Sequence, residues 1–198
     1  GYWPKAEEII QDKRVHYLHN GQAIGLRNAV NAGVALAKGE YILKLDAHCM
    51  VAQGFDEVLA ADCDEDWVVI PRRYRLDPEN WCWQEVGKPP IDYEFLSYPY
   101  WKPDEVGIHG TIWKERAVER ADKPEFLIDD DMGFQGSCYF MTKKHYTERL
   151  GGMSDFGYGT FIGEPQEIGN KTWLGGGRVV VNKKTWYAHL GKRWYHYS

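Results

Sequence analysis

Apolar positions recur along this chain with two periods. Between Gly25 and Lys38 they fall at Leu26, Ala29, Val30, Gly33, Val34 and Ala37. Those offsets of three and four line one face of a helix, and Gly39 is placed to end it. Residues 15–18 and 40–45 read as short strands, and 54–62 as a short helix. Trp67-Val68-Val69-Ile70-Pro71 is apolar without a break, the mark of a strand covered on both faces. From 72 to 134 the periodicity weakens. That stretch reads as long loops with short helices, an insertion wrapping the acceptor or donor side. Regularity returns with a strand over 136–141 and a helix over 143–150, stopped by Gly151-Gly152. A helix over 164–174 follows, stopped by Gly175-Gly176-Gly177, then strands over 178–181 and 185–189. Strands alternating with helices predict an α/β layered fold, here one domain over residues 1–198.

Bulk composition narrows the function classes. A chain of 198 residues with 43% hydrophobic and 27% charged residues supports a globular domain with a real core. Its net charge of −5, with no long basic run, argues against a protein that lives on the nucleic acid backbone. Nine Trp and thirteen Tyr could stack on sugars or bases, though packing is the commoner role for any one of them. Cys49, Cys63, Cys82 and Cys138 show no C-x-x-C spacing, which disfavours structural zinc and a redox dithiol. Reduced thiols in a cytoplasmic protein are the expectation. No apolar run approaches the ~18 residues of a membrane helix, and no secretion leader is visible. The expectation is therefore a chain without a membrane span.

The chemistry concentrates where the strand over 40–45 ends, in Asp46-Ala47-His48-Cys49. Residues i and i+2 of an extended segment point to the same side. Asp46 and His48 can thus meet one ion, a carboxylate oxygen beside an imidazole nitrogen. That pair suits Mn²⁺, Mg²⁺ or Zn²⁺. The run Asp129-Asp130-Asp131 is either a second metal candidate or a solvated loop. Arg72-Arg73 is a candidate phosphate contact.

The order of motifs resembles a GT-A glycosyltransferase of the family 2 and polypeptide N-acetylgalactosaminyltransferase type. Gly25-Leu26-Arg27-Asn28 through Gly39-Glu40 resembles the helix before that family's metal strand. Leu45-Asp46-Ala47-His48-Cys49 is close to its D-x-H motif, and Val68-Val69-Ile70-Pro71 to the strand that follows. Gln135-Gly136-Ser137 sits where the family has a glycine-rich strand start beside the donor sugar. Phe161-Ile162-Gly163-Glu164-Pro165-Gln166-Glu167 resembles the acceptor-side Trp-Gly-Gly-Glu-Asn-x-Glu motif. Thr172-Trp173-Leu174-Gly175 resembles the end of its helix. Tyr187-Ala188-His189-Leu190 resembles the segment whose His completes the metal site. The tail Lys192-Arg193-Trp194-Tyr195-His196-Tyr197 resembles a loop that closes over the donor diphosphate.

The resemblance implies a GT-A, Rossmann-like domain, here without the family's usual first strand. It implies a metal-dependent transferase moving a hexosyl or N-acetylhexosaminyl group from a nucleotide-diphosphate donor, a UDP-sugar foremost, to an acceptor hydroxyl. The cofactor would be Mn²⁺ or Mg²⁺, held by Asp46, His48 and His189. Glu164 and Glu167 would be catalytic. Arg27, Asp46, Gly136, Ser137, Lys192, Arg193 and Tyr197 would contact the donor. Protein, saccharide, small molecule and modified nucleic acid all stay open as acceptors. A non-catalytic or hydrolytic nucleotide-sugar-binding domain is the alternative. Pro165 stands where inverting members carry their general base, and the motif match is closer to retaining enzymes.

Overall fold

The structure, a computed structural model, describes residues 11, 13–84, 87–98, 108–121, 123–157 and 163–191. Helix α1 (Gly25–Leu36) leads into strand β1 (Tyr41–Leu45) and strand β2 (Cys49–Val51). Helix α2 (Phe55–Ala61) and the long strand β3 (Trp67–Asp77) follow. Then come β4 (Cys82–Trp83), β5 (Glu94–Ser97), β6 (His109–Ile112), helix α3 (Lys114–Glu119) and β7 (Ile128–Asp130). Strand β8 (Cys138–Thr142), a π-helical turn at His145–Arg149, helix α4 (Glu164–Leu174) and β9 (Arg178–His189) complete the order.

The central sheet runs β1-β8-β3-β9-β2. β3 and β9 are parallel, and β8 is antiparallel to both β1 and β3. Both faces are covered. Val68, Ile70, Tyr139, Met141 and Val179 turn to one side, packed with Val34 of α1 and Ile168 of α4. Their neighbours Val69, Phe140 and Val180 turn to the other, packed with Leu59 of α2. The alternation explains why the apolar run at 67–71 is unbroken.

The sheet does not stay open. Three residues join β1 to β2, yet these strands stand at opposite ends of the strand order. Four strand spacings of ~4.8 Å amount to ~19 Å. The link can reach only ~14 Å fully extended. The upper halves of β3 and β9 must therefore curl over the ends of β1 and β8. An irregularity supplies the bend: β3 pairs with β9 in register up to Pro71↔Asn182, then jumps to Arg72↔Trp186. Residues 183–185 are left out of that ladder, and a bulge of this kind bends and twists a strand. The two strands expected at 178–181 and 185–189 are thus one strand with a bulge. The curl brings the end of β9 to the end of β1.

Other expectations change in detail. Residues 15–18 form no strand: Val15 is 49% and Leu18 46% exposed. α1 ends at Leu36, because Ala37 is already extended and its N–H closes back on Gly33 and Val34. The helix expected over 143–150 is π-helical over His145–Arg149. The stretch 72–134 is more regular than its sequence suggests, because its strands are short, polar and paired with distant partners. β3 runs on to Asp77, β5 and β6 form a two-stranded sheet, and β7 joins β9. Asp129 and Asp130 lie in β7 and Asp131 directly after it, and all three carboxylates accept hydrogen bonds. Asp129 accepts from Tyr93 and Arg120, Asp130 from Arg178, and Asp131 from the Glu94 and Met132 N–H groups. Arg72 and Arg73 point to Asp92 and Glu94 instead of presenting a free phosphate cradle. All four cysteines are free thiols. Among the described residues no helix is long and apolar enough to cross a membrane.

Candidate metal centre

Asp46 is the first residue past β1. Its N–H donates to the Ser137 carbonyl at 2.9 Å, which fixes the turn off the strand. His48 precedes β2, and its carbonyl accepts the Leu190 N–H at 3.1 Å. His189 lies directly across from Cys49 in the β2–β9 ladder. These anchors bring three side chains to one point. His189 Nε2 stands 3.0 Å from His48 Nε2 and 3.4 Å from Asp46 Oδ2, and His48 Nε2 is 3.8 Å from the same oxygen. One ligand atom from each residue falls within 4.8 Å of the others.

The electrostatics keep the His189 imidazole neutral. Burial pushes the His189 imidazolium down to about 4, and the neighbouring His48 adds to the effect, against the pull of Asp46. A neutral imidazole keeps the lone pair a metal needs. One carboxylate oxygen and two imidazole nitrogens form a mixed donor set that Mn²⁺ and Zn²⁺ accept readily and Mg²⁺ less so. The residues present fit a divalent ion.

A polar cluster lies beside this point, on the inward face of β1. Ile42, Lys44 and Asp46 share that face, and the core stops at Ile42. The Lys44 ammonium binds both Asp46 Oδ1 and the Gly136 carbonyl. Glu164, the first residue of α4, is buried and accepts the Tyr139 hydroxyl at 2.7 Å. Burial raises its pKa; Tyr139 and Lys44 oppose that rise, and Asp46 adds to it. A Cβ at Gly136 would stand 2.7 Å from Glu164 Oε2, so a side chain there would make that carboxylate shift.

The expected site residues therefore divide. Asp46, His48 and His189 converge, with Gly136 and Glu164 next to them. Glu167 lies away from that point, enclosed by donors. It is buried and accepts from Arg27, from the Ser154 N–H at 2.8 Å and from Lys171 at 2.8 Å. Burial pushes its carboxyl up, but these donors outweigh burial and hold it below the usual range. Arg27, expected at the donor, is buried and donates to Glu167 and to the Ser154 carbonyl. The Ser137 hydroxyl is buried against the Tyr187 hydroxyl at 2.9 Å, and its carbonyl serves Asp46. Lys192, Arg193 and Tyr197 lie outside the described residues. Lys44, Tyr139 and Tyr187 are additions. Lys44 carried a signal, a charge on the inward face of an apolar strand two residues before Asp46.

The chain is similar to known proteins in sequence and in fold. The family model described as Glycosyl transferase family 2 matches residues 2–147. The chain belongs to glycosyl transferase family 2. Within reach of this family-2 chain is a Drosophila melanogaster protein named "Putative polypeptide N-acetylgalactosaminyltransferase 13". It is 24% identical over 89% of this chain and 30% of its own length. A Caenorhabditis elegans protein named "Probable N-acetylgalactosaminyltransferase 8" is 27% identical over 84% of the chain and 37% of its own length. Among solved structures, GalNAc-T7 with UDP, GalNAc and Mn²⁺ superposes with a TM-score of 0.72 at 20% identity. It covers 97% of this chain and 35% of that one. The fold is thus the GT-A α/β fold that the motifs implied. The family-2 chain spans about a third of the length of these relatives.

Proposed function

We propose that this chain carries the donor-sugar centre of a metal-dependent glycosyltransferase, which moves a sugar from a UDP-sugar to an acceptor hydroxyl. The observation that carries the reading is the convergence of Asp46 Oδ2, His48 Nε2 and His189 Nε2 at the end of β1. Family membership supports it, as does the fold shared with a transferase solved with UDP, GalNAc and Mn²⁺. Asp46, His48 and His189 would hold the ion. When bound, Mn²⁺ supplies Lewis-acid stabilisation of the charge that develops on the departing diphosphate.

The remaining roles belong to the protein's own groups. Glu164 accepts a sugar or acceptor hydroxyl through Oε2, while Tyr139 fixes Oε1. Gly136 leaves the space in which that carboxylate lies. Lys192, Arg193 and Tyr197, outside the described residues, carry the cationic and phenolic groups that this reading assigns to binding the donor. Arg27 and Glu167 hold the start of α4 in place by pairing across the core. An inverting reaction needs a base opposite the leaving group. Pro165 cannot serve, and Glu167 is enclosed by cations, so the reading favours retention of the anomeric configuration.

The test is product analysis after incubation with a panel of UDP-sugars and Mn²⁺, with and without candidate acceptors. Sugar transferred only when an acceptor is present supports the reading. Free sugar from donor alone marks a hydrolase. Donor binding with no turnover in any arm marks a binding domain. NMR of the product's anomeric proton reads the stereochemistry, and a β product from an α-linked donor contradicts retention.

A further inference from the structure

Lys44 occupies an unusual place. The inward face of β1 runs Ile42, Lys44, Asp46, from buried core to metal ligand in two steps. A lysine in the middle of that face is costly to keep unless its ammonium is matched. The Lys44 side chain is only 14% exposed. Its Nζ meets the Gly136 carbonyl and Asp46 Oδ1. Across the ladder it faces Tyr139, whose hydroxyl binds Glu164. The contact divides the Asp46 carboxylate. Oδ1 is taken by the ammonium, and Oδ2 faces both imidazoles, at 3.4 and 3.8 Å.

We propose that Lys44 is a positioning residue that makes Asp46 a one-oxygen ligand. This rests on the metal reading above. A free aspartate can grip a divalent ion through both oxygens, and such ligation crowds the coordination sphere. Lys44, itself pinned by the Gly136 carbonyl, withholds Oδ1. It also sets a positive charge beside the ion. Both effects loosen the ion's hold on the protein and leave coordination positions for phosphate oxygens. The site gives up metal affinity for open coordination, which a purely structural lysine would not do.

The test is titration of the full chain with Mn²⁺ alone, with free Mn²⁺ followed by electron paramagnetic resonance. Lys44→Met and Lys44→Gln remove the charge and release Oδ1; Lys44→Arg keeps both contacts within reach. Circular dichroism confirms that each variant is folded. The expected result is Mn²⁺ binding on the order of tenfold tighter in Lys44→Met and Lys44→Gln, from loss of a nearby like charge in a partly screened site. Lys44→Arg should stay near wild type. Folded neutral variants that bind Mn²⁺ as wild type does, or more weakly, overturn the proposal while leaving the metal centre standing. Absence of Mn²⁺ binding in wild type and variants alike overturns the metal reading and this one with it.

Discussion

Glu167→Gln separates a scaffold carboxylate from a catalytic one. Glu167 has no exposed side-chain surface, and its partner Arg27 has 4%. The substitution preserves shape and removes charge. Lys171 suffers least, because it keeps the Leu150 and Gly152 carbonyls as acceptors at 2.9 and 3.0 Å. Arg27 keeps the Ser154 carbonyl at 3.2 Å as an acceptor. Breaking a buried pair from one side costs ~3–5 kcal/mol, because it strands the other charge. The retained carbonyl places this case near the lower end, at ~3 kcal/mol. Against a total stability of ~5–15 kcal/mol, that is a large fraction. For a domain of this size it corresponds to a fall in Tm of roughly 6–12 °C. Urea unfolding followed by tryptophan fluorescence measures it, with the slope checked for constancy. Glu164→Gln is the contrast. An amide oxygen still accepts the Tyr139 hydroxyl, so stability should move by less than ~1 kcal/mol while sugar transfer is lost. A Glu167→Gln chain within ~1 kcal/mol of wild type would refute the scaffold assignment.

Three further outcomes follow from the same structure. Gly136→Ala should displace Glu164, since the new Cβ would meet Oε2 at 2.7 Å; transfer should fall with stability reduced by only ~1–3 kcal/mol, and unchanged turnover contradicts the close approach. The contribution of the buried histidines to stability should decline as pH falls from ~6.5 towards about 4. Burial depresses the folded-state pKa of His145 and takes that of His189 to about 4, so the unfolded chain binds protons that the folded one refuses. That contribution is then full above ~6.5 and lost below it, and urea midpoints that stay flat or rise on acidification contradict this. His189→Ala should weaken Mn²⁺ binding without abolishing it, because Asp46 and His48 remain; an unchanged titration removes His189 from the centre.

What could be read from the sequence follows from the range of each interaction. Asp46 and His48 are two residues apart on a strand end, so their meeting is a local fact. The faces of α1 and the double burial of β3 are local periodicities as well. The Arg27–Glu167 pair spans 140 residues. No spacing rule announces it, and both side chains carry the look of surface or site residues. β5 and β6 were missed because strands of four residues, with Glu94 and His109 among them, show no alternation strong enough to stand out. The bulge in β9 hid a single strand behind Asn182-Lys183-Lys184, whose polarity reads as a turn. That bulge also explains why His189 could be reached only through resemblance. Its approach to Asp46 depends on the curl of the sheet, which no local pattern encodes.

The central claim is that Asp46, His48 and His189 hold a divalent ion on which sugar transfer depends. Nucleotide release from a UDP-sugar, measured in chelator and then with Mn²⁺ restored, tests it most directly when wild type and His48→Ala are compared. The expected result is release by wild type only with Mn²⁺ and none by His48→Ala at the same Mn²⁺ concentration. Equal release by wild type in chelator and in Mn²⁺, or full release by His48→Ala, would contradict the account.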